Sequence, residues 1–410
     1  MESKTEQQKT QINVRSEYGQ LNAVLLHRPG VEIEAMTPQN YAEALYNDLL
    51  NKKIVDREYD QFSGVLERWA KVYYVSDILE QLLEKNDIAQ FLSTEKALPL
   101  DCIRTKSAKE QARILIEGME DPKWQQEDGR NRYIIQPLYN LFFTRDASSS
   151  MYDRVLINSM SFAVRQRETL LFNNIFEQYF NVPTLCASRW DAEARTEGGD
   201  VQIAREDLLC IGNGIRTNRK GIDYLAQTFA KEKSTFNIIV QELPESPDSF
   251  IHLDMVFTFL GADECMVYRP MVERKGAFAD KHTTLISIDN GKISYHDESD
   301  ILSALKHVGM EMKPLWCGGS QDPWLAHREQ WHSGANFFAL GPNKVIGYGR
   351  NTHTIEELNK NGYAVLSAAD ICAGKVDMHQ YAKFVATVEA SELPRGCGGA
   401  RCMTMPLNRE

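Results

Sequence analysis

The chain has no uninterrupted apolar stretch long enough to span a bilayer. Its first residues, Met1-Glu2-Ser3-Lys4-Thr5-Glu6-Gln7-Gln8-Lys9, are polar and contain no apolar signal region, so a cytoplasmic location is expected. Basic charge is scarce. The 46 Lys and Arg stand against 57 Asp and Glu, a formal net charge of −11, which leaves no basic footprint for nucleic acid. There is no Cys-x-x-Cys, and the 9 histidines form no His-x-x-x-His or similar ligand pair, so no structural or catalytic zinc is expected. Cys102, Cys186, Cys210, Cys265, Cys317 and Cys372 are scattered, most in apolar surroundings, and read as buried reduced thiols. The Gly-x-Gly at Gly212-Asn213-Gly214 lacks the third glycine and the strand-to-helix setting of a dinucleotide fingerprint, which argues against a nucleotide site.

What remains is a soluble globular composition, 43% hydrophobic and 25% charged over 410 residues, enough for one large domain or two ordinary ones. Residues 21–28 (LNAVLLHR) read as a strand entering a turn at Pro29-Gly30. Residues 40–50 and 60–71 have helix-favouring composition and spacing, and residues 72–75 read as a short strand. From 78 to about 119 the pattern is again helical, which gives a mainly helical insertion over roughly 76–130, closed by Pro122 and the polar run 125–131.

The texture then changes to hairpins alternating with helices. Strands 201–203 and 208–212 precede a helix at 218–231 and a strand at 237–241. Hairpin 255–260/264–268 precedes a helix at 299–308, and hairpin 336–340/344–347 precedes a helix at 354–361 and a strand at 364–366. The stretches Ile211-Gly212-Asn213-Gly214-Ile215-Arg216-Thr217 and Ile346-Gly347-Tyr348-Gly349-Arg350-Asn351-Thr352 end two of these hairpins alike. Repeated supersecondary blocks in one closed α/β body, a single domain over 1–410, are therefore expected.

Four constellations carry chemistry. Asn140-Leu141-Phe142-Phe143-Thr144-Arg145-Asp146 delivers an acid at the end of an apolar run, where alone it would read as a surface turn. Glu197-Gly198-Gly199-Asp200 flanks two glycines with two carboxylates just before a strand. His252-Leu253-Asp254, if on a strand, would project its imidazole and carboxylate from one face. Finally Gly396-Cys397-Gly398-Gly399-Ala400-Arg401-Cys402 puts a thiol on backbone able to bend sharply, beside an arginine that favours the thiolate. A thiol, an imidazole and the carboxylates of Asp146, Glu197, Asp200 and Asp254 suit a cationic substrate attacked by a thiolate. Paired carboxylates can orient a planar guanidinium, and histidine can protonate a departing amine and then activate water.

The ordered set NLFFTRD, EGGD, HLD and a terminal Gly-rich RCMTMP, with SEYGQLNAVLLHRPG, VRQRETLLF, REQWHSGANF and VIGYGRN, resembles the arginine deiminases of the guanidine-modifying superfamily over nearly the whole chain. The resemblance implies a five-bladed pseudo-symmetric propeller of ββαβ units carrying the helical insertion. It implies hydrolysis of free L-arginine to L-citrulline and ammonia without metal or cofactor. Cys402 matches the nucleophile, His252 the general acid/base, Asp146 and Asp254 the carboxylates on the guanidinium, and Glu197 the support of His252 and a substrate nitrogen. Asp200 completes its motif without an assigned role. Arg165 and Arg216, which alone would read as surface arginines, match the residues binding the substrate carboxylate, and Asn140 a side chain near the substrate's backbone end. The family's loop arginine has two candidates here, Arg395 and Arg401.

Departures are Ala147, where the family pattern has proline, and a longer segment at 371–394, expected as a lid or an oligomer contact, with 378–391 (MHQYAKFVATVEAS) read as an amphipathic helix. Cys397 is placed to bond Cys402, though a reducing cytoplasm disfavours it. A homo-oligomer is expected. The alternatives are hydrolysis or amidino transfer on another guanidino or ureido amino acid, or a catalytically silent arginine-binding protein.

Overall fold

The computed structural model describes residues 10–92, 98–124 and 132–410. The polar run 125–131 and the leader 1–9 lie outside them. The chain is a mixed α/β fold of several small sheets, five of which share one pattern of pairing. In four of them two antiparallel strands are followed by a helix and then by a strand that pairs in parallel with the second, as a crossover connection requires; in the unit of Phe338–Gly341 and Lys344–Tyr348 a later strand, Phe384–Val388, is inserted between the second strand and the returning one. Strands Ser148–Met151 and Arg154–Ile157, helix Gln166–Asn174 and strand Thr184–Leu185 form one unit. Strands Val201–Arg205 and Leu208–Asn213, helix Arg219–Glu232 and strand Thr235–Glu242 form the next. The third joins Phe257–Phe259, Glu264–Val267, helix Ile301–His307 and Lys313–Trp316. The fourth contains Phe338–Gly341, Lys344–Tyr348, helix Thr352–Lys360, Ala364–Ser367 and Phe384–Val388. The fifth is assembled from both ends of the sequence. Met405–Arg409 runs antiparallel to Leu21–Leu26, which after helix Lys52–Trp69 pairs in parallel with Lys71–Tyr74.

Several local expectations are corrected. Residues 378–391 are not a helix: Phe384–Val388 is a strand between two parallel neighbours, with Phe384, Val385, Ala386 and Val388 buried. A run of apolar and β-branched residues covered on both faces suits an interior parallel strand better than an amphipathic helix. Residues 40–50 form turns. Leu45 has φ 68°, and tertiary hydrogen bonds from Asn140 Nδ2 to the Ala44 carbonyl and from Asn47 N to the Arg395 carbonyl replace the helical ladder. Hairpin Thr283–Asp289/Lys292–Glu298 was not anticipated; it extends the sheet of the second unit, and its outer strand is largely solvent-facing. Helices Val75–Leu83, Leu100–Arg104 and Ala108–Glu117 lie within the expected helical tract. Among the described residues no helix is long and apolar enough to cross a membrane.

Candidate active site

Four loops meet where strands of different units begin or end, and backbone hydrogen bonds tie them together. Arg145 N donates to the Cys402 carbonyl (3.1 Å), Gly198 N to the Asp146 carbonyl (3.0 Å) and Asp254 N to the Gly199 carbonyl (3.1 Å). His252 is extended, but residues Leu253–Met255 form a 3₁₀ turn and not the expected strand. Leu253 N donates to Asp200 Oδ1 at 2.9 Å, and this bond curls the segment so that His252 and Asp254 still reach one centre. Gly199 packs against the His252 ring so closely that any Cβ there would overlap it. Gly398 does the same against the Phe143 ring, and Tyr348 donates its hydroxyl to the Gly398 carbonyl at 2.9 Å.

Cys402 is buried, its Sγ 3.8 Å from Asp254 Oδ2 and 3.9 Å from Asp254 Oδ1. Asn336 Nδ2 donates to that Sγ at 3.2 Å. His252 Nε2 meets Glu197 Oε2 at 3.0 Å, and its Nδ1 lies 3.9 Å from Asp146 Oδ1. Both Nδ1 and Asp146 Oδ1 are buried without a hydrogen-bond partner, two polar atoms facing the centre. Glu197 also accepts from Arg216 Nη1 (3.0 Å) and Ser161 N (3.0 Å). Arg165 donates to Asp146 Oδ2 at 2.6 Å and to Glu168 at 2.8 Å. Asn140, Asp146, Arg165, Arg216, His252 and Cys402 line one cavity of ≈ 10 Å³, about the room of a single water. Roomier cavities lie elsewhere, one of ≈ 630 Å³ among Phe250, Tyr268, Phe278 and Trp331, but it contains no cysteine.

The electrostatics follow from burial and pairing. Burial would raise Glu197, but the Arg216 charge and the His252 hydrogen bond hold it at about 2. Burial would lower His252, yet the hydrogen bond to Glu197 and the charges of Asp146, Asp200 and Glu197 raise it to about 9. Asp200 is pushed up to about 7 by burial, against the opposing pull of His252 and its hydrogen bonds to Thr217 and Leu253. The Cys402 thiol is pushed well above its usual range by burial first and then by Asp254 and Asp146, which outweigh Arg401. The resting site therefore has an imidazolium, ionised Glu197 and a neutral thiol.

Of the expected residues, Glu197 and Asp254 stand directly behind the cavity wall and touch its members His252 and Cys402, and Asp200 holds the backbone of Leu253 next to His252. Arg401 does not face the cavity: it is buried and bound to Glu17, Asp254 and backbone carbonyls. Arg395 lies outside the lining, half-exposed, and pairs with Asp48 at 2.6 Å. Cys397 lines the cavity, and both it and Cys402 are free thiols. Sequence reasoning missed Asn336, Glu17 and Glu168. The last was readable, since Glu168 follows Arg165 by three residues at a helix start. Among the described residues no group of three or more His, Cys, Asp or Glu is placed to hold a metal ion.

The family model described as arginine deiminase matches residues 43–409. The chain belongs to the arginine deiminase family. It is 32% identical to the arginine deiminase of Lactococcus lactis subsp. cremoris over 429 residues, covering 97% of this chain and 98% of that one. Among solved structures it resembles the substrate-bound N-terminal domain of ArgZ, an arginine dihydrolase of cyanobacteria, at TM-score 0.54 and 13% identity over 94% of this chain and 98% of that one. It also resembles SxtG, an amidinotransferase from Microseira wollei, at TM-score 0.51 and 16% identity over 97% of each chain. These distant neighbours share the fold, and the family membership rests on the sequence match.

Proposed function

We propose that this arginine deiminase family member hydrolyses L-arginine to L-citrulline and ammonia through a covalent amidino adduct on Cys402. The observation that carries the reading is the position of the Cys402 thiol, 3.8 Å from Asp254, in a buried cavity shared with His252, itself 3.0 Å from Glu197. Nucleophile, proton carrier and opposing carboxylates are thus within reach of one carbon.

In the closed site the Arg165 guanidinium occupies Asp146. The substrate guanidinium is the same chemical group, so its arrival exchanges one cation for another on that carboxylate and frees Arg165, with Arg216 and Asn140, for the substrate's carboxylate end. Between Asp146 and Asp254 the incoming positive charge offsets the carboxylates that keep Cys402 protonated, so the thiol gives its proton to solvent water as the substrate seats and the thiolate forms where it is needed. The thiolate adds to the guanidinium carbon. His252, protonated at neutral pH because its pKa stands at about 9, gives its proton to the departing nitrogen, which leaves as ammonia. Neutral His252 then takes a proton from water adding to the same carbon. Collapse of that adduct passes the remaining hydroxyl proton to the departing sulfur, which restores the Cys402 thiol and leaves the ureido group of citrulline. Glu197, ionised down to about 2, holds the imidazole and balances its charge throughout.

The same reading takes the five repeated units as blades of one pseudo-symmetric propeller over 1–410, with the helices between about 76 and 130 inserted into it. The shared strand order of the units and the joining of Met405–Arg409 to Leu21–Leu26 support this. Cytoplasmic residence and homo-oligomeric assembly belong to it through the family resemblance. The deciding test measures ammonia and citrulline released from L-arginine, with Cys402→Ala as control. Equal release of both, abolished in the control, supports the reading; no release from a folded sample overturns it.

A further inference from the structure

Behind the thiol lies a buried charge cluster that no step above uses. Arg145, Arg401 and Arg409 are all buried, and they surround one carboxylate, Glu17, from the N-terminal loop. Arg401 Nε donates to Glu17 Oε2 at 3.1 Å and its Nη2 to Glu17 Oε1 at 3.0 Å, a two-point grip. Its Nη1 donates to Asp254 Oδ2 at 2.9 Å, and Nη2 also reaches the Val201 carbonyl at 2.8 Å. Each nitrogen of this guanidinium is therefore engaged, and its plane is fixed by Glu17 on one side and Asp254 on the other. Arg145 is less well held. Its Nη2 has no partner, its Nη1 stands 4.0 Å from Glu17, and its Nε reaches only the Arg401 carbonyl at 3.4 Å.

We propose that Glu17 is a positioning residue for the deimination site: through Arg401 it fixes the Asp254 carboxylate beside Cys402 and keeps it from being drawn into the arginine cluster. This inference rests on the proposed function only for the identity of the substrate. Three buried guanidiniums face two carboxylates. With Glu17 ionised, Arg401 is shared between Glu17 and Asp254, so Asp254 keeps most of its negative charge for a ligand. Without it, Asp254 would be the sole anion facing all three cations, and its attraction for a substrate guanidinium would weaken. The charged and titratable groups facing the Cys402 thiol are Asp254, Asp146, Arg401, His252 and the Tyr348 hydroxyl, with Cys397, Arg165 and Arg216 across the same cavity. Of these, Arg401 and Asp254 answer directly to Glu17.

The test reads two quantities that a general structural defect would not move in this way. In Glu17→Gln the KM for arginine should rise by about tenfold with kcat less affected, while the cluster becomes more positive and the pH midpoint for Cys402 alkylation falls by about one unit. Iodoacetamide labelling of the free protein across pH, read by mass spectrometry on the Cys402 peptide, measures that midpoint without needing turnover. Glu17→Asp should restore the midpoint. Arg145→Gln removes a cation instead and should move the midpoint upward; because Arg145 makes few bonds, it decides the matter even where Glu17→Gln fails to fold. Unchanged midpoints in both charge variants, or shifts of the same sign, would overturn the role of Glu17. An inactive wild-type protein would sink the deiminase reading while leaving the labelling result to judge this one.

Discussion

Replacing Asp254 by Asn is the sharpest perturbation of the proposed chemistry, because the side chain keeps its shape and loses only charge. The magnitude follows from the geometry. The Cys402 Sγ stands 3.8 and 3.9 Å from the two Asp254 oxygens. A guanidinium carbon poised for attack must lie about 3–3.5 Å from that sulfur, which puts it roughly 4–5 Å from the carboxylate. At an effective dielectric of about 20, a unit charge pair at that separation is worth about 4 kcal/mol. Part of the Asp254 charge is already offset by Arg401, bonded at 2.9 Å, so about 3 kcal/mol is the expected loss, on the order of 150-fold in kcat/KM. Citrulline release under initial-rate conditions measures it, with circular dichroism to confirm folding. A second readout moves the other way. Asp254 helps to hold the thiol protonated after burial itself, so the variant should alkylate faster at neutral pH even as turnover falls. A folded Asp254→Asn protein within about tenfold of the wild-type kcat/KM, or one whose thiol became harder to alkylate, would refute the reasoning.

A methyl group at Gly199 would overlap the His252 ring, so Gly199→Ala should turn the imidazole from Glu197 and cost at least about 100-fold in turnover, while Cys402 alkylation changes little; unaltered turnover would deny His252 its role. His252 has a folded pKa of about 9 against an ordinary 6.5. Its contribution to stability is therefore fully present below about 6.5 and lost as pH rises through about 9. Urea midpoints should decline over that window in the wild type and stay flatter in His252→Gln, and turnover should fall above about pH 9 as the acid form disappears.

The sequence was most legible where chemistry constrains order. The motifs around Asp146, His252 and Cys402 named residues that the fold brings to one cavity, with Glu197 behind it on His252, although they lie far apart in the chain. The hairpins at 201–212 and 336–347 were readable as short apolar runs joined by turn residues, since their strands are buried almost throughout. Tertiary context defeated the rest. Residues 378–391 read as an amphipathic helix, yet Phe384–Val388 is captured between two parallel strands, an outcome no local pattern contains. The HLD segment curls because Leu253 N finds Asp200 Oδ1, a partner more than fifty positions away. Arg401 was one of two candidates, with Arg395, for the family's loop arginine, but it turns away from the cavity to Glu17, separated from it by 384 positions. Asn336 sat in a motif that was noticed without a role, since an amide gives no sign in sequence of the sulfur it will meet.

The pairing of Met405–Arg409 with Leu21–Leu26 has a consequence for how the protein is made. Leu21–Leu26 leaves the ribosome long before Met405–Arg409, and one of its edges must wait, unsatisfied, while the residues between them are translated. Such an edge invites pairing with another nascent chain, so demand on chaperones should last until Met405–Arg409 emerges, and slow elongation ahead of that strand should raise losses to aggregation. Because Cys402 arrives just ahead of that strand, a chain stalled or released before it has neither the partner of Leu21–Leu26 nor a nucleophile, and such partial products have no means of consuming substrate.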